Sequence, residues 1–318
     1  MPLIYFMGDI LNFTKRVLFI GIPDMAYVCL DGLLQAGVNI VGVLGPKKSH
    51  STYANFRQFA LSRKMNFIEW DSLRDEKFLE TIRALNLDVA VVASFNYKIP
   101  KEVIDIPKYG IINIHPSLLP KYRGGNPYST VIINGEKETG VTLHFMDEGF
   151  DTGDIITQRK VEISPIETMG TLFNRLNLLG MQMLVGVLND LEKGDLPRYT
   201  QPKGDFITGQ SLKDEDLFID YTKSAVEVDR FIRGLNPFLI ASTTFRGNMI
   251  KIFMSNVFEG DSSKFSPGSI AKVENDKFYI ATGDGFICPT AIQFGSFFVG
   301  NTQDFIKILA PKTGEVFK

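Results

Sequence analysis

The chain has 318 residues, 44% hydrophobic and 22% charged, the composition of an ordinary globular protein that is too long for one comfortable core and suits two domains. Its 34 Lys and Arg against 36 Asp and Glu leave a formal net charge of −2, so the overall balance gives no general pull toward nucleic acid and leaves room only for a local basic patch. Cys29 and Cys288 lie far apart in apolar surroundings, which excludes a Cys-rich metal site and favours two buried thiols over a disulfide.

No apolar run reaches the roughly 18 residues needed to cross a bilayer. The Met1–Phe13 stretch lacks a basic start and a small-residue cleavage site, so it is not read as a signal peptide. A cytoplasmic enzyme without a membrane partner is expected. The segment 1–14 is an extension to which no element is assigned.

Lys15–Ile20 reads as a buried strand ended by Gly21-Ile-Pro23, and Asp24 is placed to cap a helix running to about Gln35 and closed by Gly37. Asn39–Leu44 is a second strand, Tyr53–Lys64 an amphipathic helix, Phe67–Glu69 a short strand and Asp71–Leu85 a helix. Asp88–Ala93 is a continuous apolar strand of the kind buried on both faces. This alternation predicts a Rossmann-like, mostly parallel α/β sheet, with Val141–Met146 and Ile155–Val161 forming a β-rich edge. In Thr168–Lys193, Leu172, Leu176, Leu179, Met183 and Val187 recur at helical spacing and read as a core stripe, with Gly194 as the stop.

Polar residues 197–211, with Pro202, Gly204 and Gly209, are the best linker, dividing a catalytic domain at 1–205 from a second domain at 206–318. Beyond it, Ser224 and Glu227 have capping-box spacing and open a helix to about Arg233. Short strands follow at Ala241–Phe245, Met249–Met254, Gly268–Val273, Phe278–Thr282 and Phe286–Phe294, with turns at Asn275-Asp276 and Asp284-Gly285. A small open β-barrel with one helix is the simplest architecture.

The chemistry concentrates in Gly110–Gly125. An apolar strand ends by presenting Asn113 and His115 on one face, because strand side chains alternate with period two. Pro116, Pro120, Gly124 and Gly125 then shape a loop able to approach a ligand. In open α/β sheets, sites form outside the carboxyl ends of strands, where this pair belongs. An imidazole can take a proton near neutral pH and an amide N–H can stabilise an oxyanion.

Asp151, in the acidic loop Asp147–Asp154, is the natural third member, with Phe150 as its shield and Gly149 and Gly153 allowing tight turns. Asp147 and Asp154 rank lower as catalytic groups. His144 is assigned to the solvent-facing or supporting side of its strand and His50 to a polar loop, and three scattered histidines do not make a metal site. Gly21-Ile-Pro-Asp lacks dinucleotide-binding spacing, and neither a Walker sequence nor a G-x-S-x-G elbow is present.

In order, Asn113-Ile-His115-Pro-Ser-Leu-Leu-Pro-Lys-Tyr-Arg-Gly, Glu138-Thr-Gly-Val-Thr-Leu and Asp147–Asp154 resemble the formyltransferases that use 10-formyltetrahydrofolate, most densely across 85–162. The C-terminal half is similar to the small OB-like domain of methionyl-tRNA and some sugar-nucleotide formyltransferases, through Ile219-Asp-Tyr, Ser224-Ala, Ile232-Arg233 and Asn236-Pro237. The resemblance implies formyl transfer to an amine through a tetrahedral intermediate, with the family's Asn, His and Asp falling on Asn113, His115 and Asp151 and the proton acceptor left open between the last two. It places the folate against Ser94, Phe95, Tyr97, Ile99 and Pro100 and against Asp147, Glu148, Gly149 and Phe150, with no metal.

Methionyl-tRNA formyltransferases usually carry a longer basic insertion after the second strand; residues 45–55 here hold only Lys47 and Lys48. With the acidic balance, this favours a nucleotide-linked amino sugar as acceptor, lined by Arg123, Gly125, Asn126, Pro127 and Tyr128. Lys47, Lys48 and Arg57 are placed either near a phosphate or on the solvated surface. The tRNA enzyme, another small or carrier-bound amine, the purine-pathway glycinamide ribonucleotide enzyme and an inactive binder remain alternatives, and a homodimer is the guess for assembly.

Overall fold

The computed structural model describes residues 13–318 apart from 24, 48–50, 96, 210 and 296–297; the expected Asp24 cap, Lys48, His50 and most of the 1–14 extension lie outside the described residues. The chain divides into two compact units. The first comprises Met1–Pro127, Thr139–Val161 and Asn174–Gly209, and the second Tyr128–Glu138, Glu162–Phe173 and Gln210–Lys318.

The first unit starts with β1 (Val17–Gly21), α1 (Met25–Gln35), β2 (Ile40–Pro46), α2 (Ser51–Ser62), β3 (Phe67–Trp70), α3 (Glu76–Ala84), β4 (Val89–Ala93), α4 (Lys101–Ile104) and β5 (Ile111–His115). The chain continues through β6 (Arg123–Gly124), α5 (Pro127–Ile133), β7 (Glu138–Phe145), β8 (Ile155–Glu162), α6 (Met169–Lys193) and β9 (Thr208–Gly209). Among the described residues, these build a seven-stranded sheet in the order β3-β2-β1-β4-β5-β7-β8. β1 pairs in parallel with β2 and β4, β2 with β3 and β4 with β5, whereas β7 runs antiparallel to β5. All residues of β1, β4 and β5 are buried, which is why they read as apolar runs rather than as alternating strands.

Local chemistry sets the boundaries. Asp75 caps α3 by accepting the Phe78 N–H at 3.1 Å, so this helix starts at Glu76 and the expected turn at 71–74 stays outside it. Gly37 takes φ 80° after α1, as its position predicts. The α6 stripe is correct at Leu172, Leu176 and Val187, whereas Leu179 and Met183 are half-buried and Met181, Leu184, Leu188 and Leu191 are buried in addition. The expected spacing set Leu179 and Met183 at the margin of the buried face, and the core-facing side is wider than the stripe that was read. At Gly180, a Cβ would lie 2.6 Å from Ile114 Cγ2, so the helix comes close against the strand that carries Asn113 and His115.

In the second unit, α7 (Ala225–Leu235) is followed by β10 (Ala241–Phe245), β11 (Asn248–Phe258), β12 (Ile270–Val273), β13 (Phe278–Ala281), β14 (Phe286–Phe294), β15 (Phe298–Asn301) and α8 (Thr302–Leu309). The strands form an antiparallel sheet in the order β10-β11-β14-β13-β12, with β15 beside β14. The Ser224–Glu227 capping box is present as expected. β15 and α8 are additions to the expected elements, and α8 carries its own box from Asn301 and Asp304. Phe245, Phe278, Phe305 and Phe317 are buried together in this core.

The landmarks Arg233 and Asn236 are structural. Arg233 pairs with Asp229 at 2.7 Å and donates to the Glu167 carbonyl at 2.7 Å, while the Asn236 carbonyl accepts the Gly170 N–H at 3.0 Å. These bonds hold 162–173 within the second unit. Both cysteines are free and buried, and burial pushes the Cys29 thiol well above its ordinary value.

Candidate active site

β5 delivers Asn113 and His115 to the carboxyl end of the sheet, both buried and on one face, as period two requires. The His115 Nε2 lies 2.8 Å from the Tyr122 carbonyl oxygen. A carbonyl only accepts, so Nε2 carries the hydrogen and Nδ1 is the nitrogen left to exchange a proton. Nδ1 faces the Asp151 carboxylate at 3.4 Å.

His144, the penultimate residue of β7, belongs to this cluster. It is buried, not solvent-facing, and the antiparallel register sets it directly opposite Asn113. Its Nδ1 donates to the Phe145 carbonyl at 2.8 Å, leaving Nε2 in the neutral ring to accept from Asn113 Nδ2 at 3.0 Å. The Asn113 amide is thereby oriented, with its Nδ2 also donating to Asp151 Oδ1 over a longer 3.3 Å. Sequence pattern places His144 on a strand just before the acidic loop, but its role depends on the partner strand, which no local pattern identifies.

Asp151 holds a left-handed φ of 54° and keeps its side chain only 16% exposed. Phe150, expected to shield it, is 64% exposed. Enclosure comes instead from His115, His144 and Gly124, whose N–H donates to Asp151 Oδ2 at 2.9 Å. Burial opposes the charge on Asp151, but His115, His144 and the Gly124 N–H together outweigh it and hold the carboxyl well below its ordinary range. For His115 the balance goes the other way: burial lowers its pKa more than Asp151 raises it, with His144 and Arg123 adding to the decrease. The pair thus rests as a carboxylate beside a neutral imidazole at pH 7.

Asp147, Glu148, Gly149 and Phe150 are exposed. Asp147 Oδ1 accepts from the Gly149 N–H at 3.0 Å and the Thr152 hydroxyl at 2.6 Å, so it braces its own loop. Phe95 and Tyr97 pack on a cluster that includes buried Ile99 and is also flanked by Met146, the residue before Asp147. Ser94 has φ 56° and its carbonyl accepts the Ile22 N–H, while Pro100 precedes α4. The two segments expected to flank a cofactor therefore share one cluster.

Residues Arg123, Gly125, Asn126 and Pro127 follow the Tyr122 carbonyl that fixes His115, and Asn126 takes φ 50°. Tyr128 departs from this group: it is buried in the second unit with its ring 5.1 Å from that of Phe173. The segment 197–211 is more than a linker. Tyr199 bridges to Ile155, the Ile207 carbonyl accepts the Tyr122 N–H, β9 pairs with β6, and Gln201 is buried against Asp151 and Arg123.

The family described as formyl transferase matches residues 15–188, and its C-terminal domain matches 211–308. A methionyl-tRNA formyltransferase of Agathobacter rectalis is 35% identical over 95% of this chain and 99% of its own. The chain belongs to the formyl transferase family. A second relative of this formyl transferase, the methionyl-tRNA formyltransferase of Clostridioides difficile, is 35% identical over 90% of this chain and 97% of its own. In fold, the formyl transferase is similar to an N-formyltransferase from Helicobacter canadensis solved with folinic acid and dTDP-3-aminofucose, with TM-score 0.65 and 21% identity over 89% of this chain and 100% of that one. It is similar also to WlaRD, a sugar 3N-formyl transferase solved with dTDP and 5-N-formyl-THF, with TM-score 0.63 and 21% identity over 92% of this chain and 100% of that one.

Proposed function

We propose that this formyl transferase moves the formyl group of 10-formyltetrahydrofolate to the primary amine of a nucleotide-linked amino sugar, with Asn113, His115 and Asp151 as the catalytic set. The observation that carries the chemistry is the convergence on one depressed carboxylate, Asp151, of an oriented amide at 3.3 Å and an imidazole Nδ1 at 3.4 Å. The amine nitrogen attacks the formyl carbon, and the carbonyl electrons move onto oxygen. The Asn113 Nδ2–H now spent on the 3.3 Å contact turns to that oxygen, joined by His115 Nδ1 once it has taken the amine proton. The amine proton passes to the His115–Asp151 pair. Collapse of the intermediate breaks the carbon–nitrogen bond to the folate, and the pair returns the proton to the departing nitrogen.

The 10-formyltetrahydrofolate is assigned to the shared cluster of Phe95, Tyr97 and Ile99 beside Ser94 and Pro100, and to the backbone of the Asp147–Phe150 loop. Proteins of similar fold solved with folates support the class of co-substrate. Arg123, Gly125, Asn126 and Pro127 are assigned to the acceptor side. Charge supports a small acceptor: the chain is net acidic, Lys47 is paired with Asp71 at 3.3 Å, and Arg57 with Glu69 at 3.1 Å. The Lys47–Asp71 pair offsets one of the two lysines in the short segment where a tRNA-binding relative would need free cations.

Methionyl-tRNA is the second reading, favoured by 35% identity over nearly the full length of relatives so named. Purified protein with 10-formyltetrahydrofolate, offered a panel of nucleotide-linked amino sugars and, separately, charged initiator methionyl-tRNA, decides between them. Formylation of a sugar with no tRNA product supports the first reading; formylation of tRNA alone replaces it with the second.

A further inference from the structure

Gln201 is buried, lies in a segment whose sequence reads as a linker, and spends its whole side chain on the site. Its Nε2 donates to the carbonyls of Asp151 at 2.9 Å and Gly153 at 2.8 Å. Its Oε1 accepts from Arg123 Nε at 3.2 Å and from a terminal Arg123 nitrogen at 2.6 Å. An amide is the side chain suited to this arrangement, since it offers two N–H groups to two carbonyls and an acceptor to a guanidinium. The Asp151 turn needs such a brace. It combines a left-handed non-glycine residue with a neighbour, Gly153, at which a Cβ would lie 1.9 Å from the Phe145 oxygen.

We propose that Gln201 is a positioning residue that holds the Asp151 carboxylate against His115 and joins this loop to Arg123 on the acceptor side. The inference rests on the catalytic reading above for its consequence in turnover, but not for its effect on geometry. The ionisable groups facing His115 are Asp151 from the loop, His144 from β7 and Arg123 from the segment after β5. Asp151 favours the charged imidazole; Arg123 and His144 disfavour it. Freeing the loop and removing Arg123 therefore move the His115 titration in opposite directions.

The test is imidazole titration by NMR in the full chain, which has three histidines. Gln201→Met keeps the side-chain length and removes every hydrogen bond, so His115 titrates lower, by about 1 pH unit, as Asp151 drifts away. Arg123→Met leaves both Nε2 donations in place, so His115 titrates higher. In turnover, Gln201→Met lowers kcat about 10²-fold, with the KM for 10-formyltetrahydrofolate little changed. If Gln201→Met does not fold, Gln201→Asn carries the same expectation, because an amide one methylene shorter cannot reach both carbonyls. A folded variant whose His115 titrates where the wild type does overturns the proposal and reduces Gln201 to a fold-stabilising residue. Absence of formyl transfer in the wild type with every acceptor overturns the catalytic reading instead, while the titration still decides the role of Gln201.

Discussion

The two halves of the centre are positioned by different means. Asn113 and His115 end a strand paired with β4 on one side and β7 on the other, buried throughout and backed by α6 at Gly180. Asp151 rides on a turn whose shape depends on Asp147 within, on Gly124 at the carboxylate and on Gln201 behind the backbone. A strand in the middle of a sheet transmits little of a local insult, because its ladders on both sides must yield first. A turn held by a few side chains transmits nearly all of it. The same centre should therefore be robust on one side and fragile on the other.

Removing the chemistry itself has the largest expected effect. His115→Ala and Asp151→Asn lower turnover by about 10² to 10⁴ with an unchanged circular dichroism spectrum, the cost of losing an acid–base group. Asn113→Ala falls in the same range through loss of its donor. Next comes a strike at the fragile half. Gly153→Ala drives a methyl into the Phe145 carbonyl, and kcat should fall about 10²-fold because the turn, not the strand, gives way.

The matching strike at the robust half is Gly180→Val, which overpacks α6 against Ile114. It should cost about 1–3 kcal/mol in denaturant unfolding while the folded fraction keeps its kcat. Equal kcat losses in the Gly153 and Gly180 variants would erase the distinction between the two halves.

The smallest effect is on stability against pH. His115 has its folded pKa pushed below the ordinary 6.5, mainly by burial, so the unfolded chain binds its proton first and stability declines as pH falls from about 6.5 toward the folded value. Asp151 has its folded pKa held below the ordinary 3.8, so its contribution is present above that pH and is lost only in stronger acid. Thermal melts of His115→Ala should lack the first decline, and those of Asp151→Asn the second.

What was legible in the sequence follows the same division. The alternation of strand with helix, the period-two pairing of Asn113 with His115 and the Ser224–Glu227 capping box depend on residues close in sequence, and they emerged where expected. His144 and Gln201 depend on partners brought together by strand order and by a segment that returns from residue 199 onward, and no local pattern announces either. Polar composition with Pro202, Gly204 and Gly209 made 197–211 look like a linker, yet Gln201 is polar because its partners are backbone carbonyls and a guanidinium. Phe150 shows the converse error: an apolar neighbour in sequence was credited with burying Asp151, and the chain turns it outward.

The most direct test of the central claim is single-turnover formyl transfer from 10-formyltetrahydrofolate to the acceptor identified from the panel, with wild type and His115→Ala compared at pH 7. The account predicts rapid transfer by the wild type and a rate lower by about 10² to 10⁴ in the folded variant. Transfer at the wild-type rate by His115→Ala would contradict it.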